Sequence, residues 1–217
     1  TRGARVHVTH ASCYTTIREA KRRGFTVDVT PHHLLYNNID APTCIGRVNP
    51  PLRAPKEAWS LLQALIEGYV DALASDHAPH SPTEKSEPLY CSPGFAWLEL
   101  WPWLLFRLVK LGVIGLDRFL YLTSRGSAEI LGLRDYGSLS SGSRANLLVL
   151  DYKYEYRFPG AQYSRDRHLH AFMATLVGKP VTVFVGGEPV ILDEEPQWDA
   201  GLRAKINPFS VRPLYGS

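Results

Sequence analysis

Residues 25–34 read FTVDVTPHHL, and the fold is decided by how this stretch is read. Its first six residues are mostly β-branched or aromatic, which suits a pleated surface, so 25–30 predicts a strand. Pro31 has no N–H to donate and stops that strand directly before His32 and His33. Upstream, 16–23 predicts a helix opening on the capping pattern Thr16-x-x-Glu19, and 5–9 (RVHVT) predicts a strand that ends at His10. Downstream, a loop holding Pro42, Pro50, Pro51 and Pro55 leads to a predicted helix over 56–67, stopped by Gly68. A third strand over 70–74 runs into Ser75-Asp76-His77-Ala78-Pro79-His80. A Pro-, Ser- and Glu-rich loop over 77–93 follows, then a bulky apolar helix after Gly94 and shorter helical stretches over 116–123 and 127–131.

Strand and helix in alternation imply parallel strands joined by helical crossovers. Three such strands cannot close a barrel, and their open edges would leave backbone groups unpaired. The missing strands then lie on another polypeptide, or the chain is not stable alone. The start at Thr1, with a strand within about five residues, is read as a truncated or processed chain. From about Arg134 the pattern changes to short apolar runs (146–150, 181–185) punctuated by Gly137, Gly142, Gly186 and Gly187, as in antiparallel β structure. A domain boundary is therefore placed near 134, giving segments 1–133 and 134–217.

Composition narrows the function classes. Hydrophobic residues at 45% and charged residues at 21% are ordinary for a globular protein. The net charge of +3 comes from 24 basic and 21 acidic residues without a run of five like charges, so no nucleic-acid footprint is indicated. The most apolar stretch, about 95–111, is interrupted by Glu99, Pro102, Arg107 and Lys110 and falls short of the ~20 apolar residues of a membrane span. Cys13, Cys44 and Cys91 are odd in number and widely spaced, and they suggest neither a disulfide framework nor a zinc ribbon. A reducing cytoplasm is the expected compartment.

The candidate chemistry follows the strand ends, where parallel α/β folds place their active sites. His10, His32-His33 and Asp76-His77 close the three strands, and imidazole and carboxylate together suit zinc. His7 lies three residues before His10 in an extended segment and is expected on the opposite face, as a packed or exposed histidine. Cys13 could serve as a thiolate ligand or nucleophile, but a small packed residue is the plainer reading. His168 and His170 would share one strand face like a ligand pair, yet they sit in the β-rich part and are read as structural.

HVTHAS (7–12), TPHHL (30–34), VNPPLR (48–53), SDHAPH (75–80) and EK with PGFAWLE (84–85, 93–99) occur in this order. That succession resembles the dihydroorotases of the amidohydrolase superfamily. The likeness continues more weakly through GSLSSGSRANLLVLD (137–151), with Asn146 where an aspartate is usual, and GKPVTVFVGGEPVIL (178–192). It implies an α/β chain forming the C-terminal part, about strands 6–8, of a (β/α)8 TIM-like barrel, with part of a β-sandwich domain. It further implies His10 as a metal ligand, and Asp76 as metal ligand and catalytic base and acid. Asn49, His80, Pro93 and Gly94 become substrate contacts, His80 facing a substrate carboxylate. His32 and His33 are expected to support the site and not to ligate directly.

The family's first-strand His-x-His, the neighbouring substrate-binding Arg and Asn, the bridging lysine or aspartate and the strand-5 histidine have no counterpart here. The resemblance implies one or two zinc ions in the complete protein, and a small-molecule substrate interconverted between dihydroorotate and N-carbamoyl-L-aspartate. The alternatives are an inactive scaffold for aspartate transcarbamoylase and an allantoinase- or hydantoinase-type cyclic amidase. Self-association as a homo-oligomer, or pairing with an N-terminal fragment, is expected to cover the open edges.

Overall fold

The computed structural model describes residues 4–40, 44–86, 91–157 and 175–197. Strand β1 (His7–Val8) leads through helix α1 (Tyr14–Arg22) to β2 (Thr26–Val29). From β2 the chain passes through α2 (Pro31–Leu35), a 3-10 turn (Cys44–Gly46) and α3 (Pro55–Ile66) to β3 (Ala72–Leu73). The strands pair in the order β1-β2-β3, all parallel, with His7 opposite Thr26 and Asp28 opposite Ala72. Val27 and Val29 are fully buried and Asp28 nearly so, the two-sided burial of a strand between helical layers. Ile17 and Ala20 of α1 and Leu61, Ala64 and Leu65 of α3 supply one covering layer, at the spacing of a single helical face.

Two local expectations change. The first helix starts at Tyr14 with Cys13 as its extended cap, and no side chain caps it. Glu19 instead pairs with Arg22 and Arg23, and the Thr16 hydroxyl meets the Cys13 Sγ at 3.1 Å. Second, β2 does not run into a loop. Pro31, with its fixed φ and missing donor, fits the first turn of α2, which carries His32 and His33 into the interior.

Beyond β3, a loop precedes α4 (Trp101–Lys110). The two helical stretches expected afterwards are continuous: α5 (Leu116–Leu120), a π-helical turn (Tyr121–Arg125) and α6 (Gly126–Leu131), ended by Gly132 in the left-handed conformation. Four antiparallel strands follow in order: β4 (Leu147–Arg157), β5 (Thr175–Val185), β6 (Glu188–Leu192) and β7 (Glu195–Pro196). The short apolar runs read from sequence are thus pieces of two 11-residue strands. The main core gathers Ile17, Val27, Val29, Leu61, Leu65, Leu105 and Leu122, and Val177 of β5 joins it. A second cluster of Val48, Leu52, Phe95, Trp97, Leu104 and Leu176 lies beneath the loops after β2 and β3. Among the described residues no helix is long and apolar enough to cross a membrane.

Gly126 opens α6 against the strand layer, and a Cβ there would collide with the carbonyl oxygen of Asp71. Backbone is the obstacle, so no side chain can rotate away. Gly126→Ala is expected to destabilise the chain by about 2–3 kcal/mol through overpacking. Urea denaturation of the two proteins checks this, and equal stability would show that α6 shifts freely on β3.

Candidate active site

The ends of β1 and β3 share a backbone feature. His10 has φ 43° and Asp76 has φ 47°, left-handed values that non-glycine residues seldom adopt. Such conformations cost on the order of 1–3 kcal/mol each and persist where surrounding contacts enforce them. At His10 the enforcing contact is Asp28: its carboxylate accepts the His10 backbone N–H at 2.6 Å, while the Asp28 carbonyl accepts from Ala11 at 3.0 Å.

Asp28 is the functional-site residue that motif reading passed over. It is 6% exposed, in the middle strand. Its carboxylate also accepts from the Thr9 hydroxyl at 3.0 Å and from His7 Nε2 at 2.8 Å, and His7 Nδ1 meets the Thr26 hydroxyl at 2.9 Å. His7 is therefore a packed histidine, as expected, but one that holds the carboxylate positioning His10. An acidic residue inside an otherwise apolar strand was the signal available in FTVDVT.

The α2 histidines face this centre. His33 is bonded on both sides: Nε2 donates to the Pro50 carbonyl at 2.9 Å, so Nδ1 accepts from the Thr30 hydroxyl at 2.7 Å in the neutral ring. Burial, opposed by the bond to Pro50, lowers its pKa from 6.5 to about 4. His32 is wholly buried against Phe95 and Trp97, and burial, with His33, His10 and Lys85 nearby, holds its pKa well below the ordinary value. Its Nε2 lies 3.7 Å from Asp76 Oδ2, too far for a hydrogen bond. Burial raises the Asp76 carboxyl above the usual aspartate value, His10 opposing and Asp28 adding to the shift. His10, His32, Asp28 and Asp76 therefore form one electrostatic cluster at the strand ends.

Both ring nitrogens of His32 and the Nδ1 of His10 are buried without a hydrogen-bond partner among the described residues. Buried imidazole nitrogens without partners are open to a ligand, and their chemistry suits zinc. Their number does not: no group of three or more His, Cys, Asp or Glu residues that could hold a metal occurs among the described residues. His10 and Asp76 are at most part of a ligand set, since zinc sites use three protein ligands or more.

The expected substrate contacts lie on two loops that meet. Asn49 is exposed and precedes a cis peptide bond to Pro50. His80 Nε2 donates to the Pro93 carbonyl at 3.1 Å, and the Gly94 N–H donates to the Arg47 carbonyl at 2.9 Å. Gly94 has φ 152°, and a Cβ there would strike the Ala78 carbonyl oxygen, so only glycine closes this turn. The cysteine reading needs correction: Cys44 and Cys91 form a disulfide across these loops, a pairing that their 47-residue separation concealed. Cys13 is free and partly buried. Burial opposes its ionisation, but the Thr15 and Thr16 hydroxyls, the Thr16 backbone and Arg53 together lower its pKa. His168 and His170 lie outside the described residues.

No family model matches the chain. Among curated proteins it is similar to the dihydroorotase of Aeropyrum pernix, 50% identical over 151 residues, 67% of this chain and 35% of that protein. It is also similar to those of Saccharolobus solfataricus, at 42% over 74% of this chain and 40% of that protein, and of a Geobacillus species, at 35% over 87% and 46%. The chain spans 35–47% of the length of the curated relatives it matches. Among solved structures it is similar to a D-hydantoinase (dihydropyrimidinase) from a Thermus species, with TM-score 0.83, 24% identity, and coverage of 92% of this chain and 47% of that one. An L-hydantoinase (dihydropyrimidinase) from Arthrobacter aurescens gives 0.81 and 26%, over 90% and 46%. The chain therefore shares the fold of about half of each of these structures.

Because His33 has a folded pKa depressed from 6.5 to about 4, the unfolded chain binds its proton first as pH falls. Its contribution to stability is fully present above 6.5 and is lost progressively as pH falls from 6.5 to about 4. At ~1.4 kcal/mol per pKa unit this amounts to about 3 kcal/mol. Urea denaturation at about pH 7.5 and about pH 4.5 is expected to show the loss, and His33→Gln should flatten the pH dependence. An equal slope in the variant would remove His33 from the account.

Proposed function

We propose that this chain, a homologue of proteins named dihydroorotase, carries part of the active site of a dihydroorotase-like cyclic-amide hydrolase acting in pyrimidine biosynthesis. The observation that carries this reading is the convergence of His10 and Asp76, each in a left-handed conformation at a strand end, on one partly buried electrostatic cluster. Strands β1 to β3 stand as about strands 6–8 of a (β/α)8 barrel over residues 1–133, and β4 to β7 as part of a β-sandwich over 134–217. A further segment, on a second polypeptide or on a longer form of this one, supplies the remaining barrel strands and zinc ligands.

In the complete site, His10 and Asp76 would help to hold zinc, which would supply Lewis-acid chemistry for a ring carbonyl and the attacking water. Asp76 takes a proton from that water as its oxygen bonds to the carbonyl carbon of dihydroorotate. The ring C–N bond breaks, and Asp76 returns the proton to the leaving nitrogen, giving N-carbamoyl-L-aspartate. Asp28 and His7 keep His10 in place, and Asn49, His80 and the Pro93–Gly94 turn receive the substrate. A second reading, a hydantoinase-type cyclic amidase, draws on the structural neighbours, but the curated sequence relatives at 35–50% identity favour dihydroorotate.

The test is to express the chain joined to the N-terminal portion of a curated relative, with zinc, and to follow ring opening of dihydroorotate beside hydantoin and allantoin. Turnover of dihydroorotate is expected, and Asp76→Asn should reduce it by roughly 10²–10⁴-fold. A variant within tenfold of the parent would overturn the role of Asp76. Preference for hydantoin or allantoin would reassign the substrate.

A further inference from the structure

The substrate loops are long and largely irregular, yet their cross-links crowd into one small region. Cys44 and Cys91 are bonded. Three residues from each, the Arg47 carbonyl accepts the Gly94 N–H at 2.9 Å. The Lys85 ammonium, 8% exposed, donates to that same Arg47 carbonyl at 3.1 Å and to the Cys44 carbonyl at 3.4 Å, and lies 5.3 Å from the Phe95 ring centre. Ser92 N–H donates to the Glu84 carbonyl at 3.0 Å, and His80 to that of Pro93, so the second loop is folded back on the same seam. Cys91 is 3% exposed, so the bond is seated within the seam. Among the described residues, the main hydrophobic core around β1 to β3 contains none from either loop.

We propose that the Cys44–Cys91 disulfide, backed by the Lys85 ammonium, is a redox-sensitive clamp that positions the loops bearing Asn49, His80, Pro93 and Gly94. This rests on the reading of those residues as substrate contacts. Reduction needs a dithiol: one thiolate attacks a disulfide sulfur to form a mixed disulfide, and the second thiol displaces it. Two electrons and two protons end on Cys44 and Cys91 as thiols, and the reductant becomes a disulfide. The Arg47–Gly94 seam then rests on hydrogen bonds alone, each of small net worth in water, and the substrate platform opens while the sheet stays folded. A disulfide that merely staples the whole fold would loosen both regions together.

Hydrogen exchange on the full chain tests this, with Cys13→Ser to keep the third thiol out of exchange. The readout needs neither metal nor substrate, so it stands or falls separately from the dihydroorotase reading. Reduction with dithiothreitol is expected to speed exchange of the Gly94 amide at least tenfold and leave Val27 and Val29 of β2 unchanged. The Cys44→Ser/Cys91→Ser variant should exchange fast at Gly94 with or without reductant. Unchanged protection of Gly94 on reduction, or a rise shared equally by Val27 and Val29, overturns the clamp, as does an air-equilibrated chain whose mass shows both cysteines free.

Discussion

A carboxylate in the middle strand of a parallel sheet is the constraint from which the site follows. Burying a charge is costly unless donors surround it, and Asp28 is surrounded by His7, the Thr9 hydroxyl and the His10 backbone N–H. These partners all come from the segment 7–10 on the neighbouring strand. Satisfying Asp28 and fixing the direction of His10 are therefore one event. The sheet register of β1 on β2 places those donors in reach, with His7 opposite Thr26 and Val8 opposite Val27. A slip of one residue would turn the donors to the other face and leave the charge buried alone.

The same sheet has three strands among the described residues. Its order is β1-β2-β3, and among the described residues no further strand pairs with the outer edge of β1 or β3. Parallel strands are stable when both faces are covered and their edges continue, and here α1 and α3 supply only part of the cover. Among the described residues no group of three or more His, Cys, Asp or Glu could hold a metal, where a zinc site needs at least three protein ligands. The chain spans 35–47% of the length of the curated relatives it matches.

What sequence could show here was set by periodicity and by what closes each strand. β-Branched residues ahead of His10 and Pro31, and a short mostly apolar run ahead of Asp76, marked three parallel strands, because packing did not override these local preferences. Three features were not legible, for different reasons. Helix α2 is five residues long and sits where Pro31 reads equally as a strand stop or a first helical turn. The Cys44–Cys91 bond depends on two loops returning to one place, which spacing alone does not encode. Asp28 sat in plain view, but its meaning came from a neighbour 18 residues away in sequence.

The pairing of backbone strain with chemistry separates a site from a packed core. A left-handed residue at a strand end is relieved by glycine, and more modestly by asparagine, so a sequence shaped for stability would place one there. This chain does so freely elsewhere, at Gly24, Gly68, Gly112 and Gly132. At the ends of β1 and β3 it keeps His10 and Asp76 instead, two side chains that hold metals and move protons. Burial then raises the carboxyl of Asp76, a second cost at the same place. Strain and desolvation are both retained where the strand ends meet, and neither helps the sheet to fold. Their shared location fits the roles proposed for the His10 imidazole and the Asp76 carboxylate.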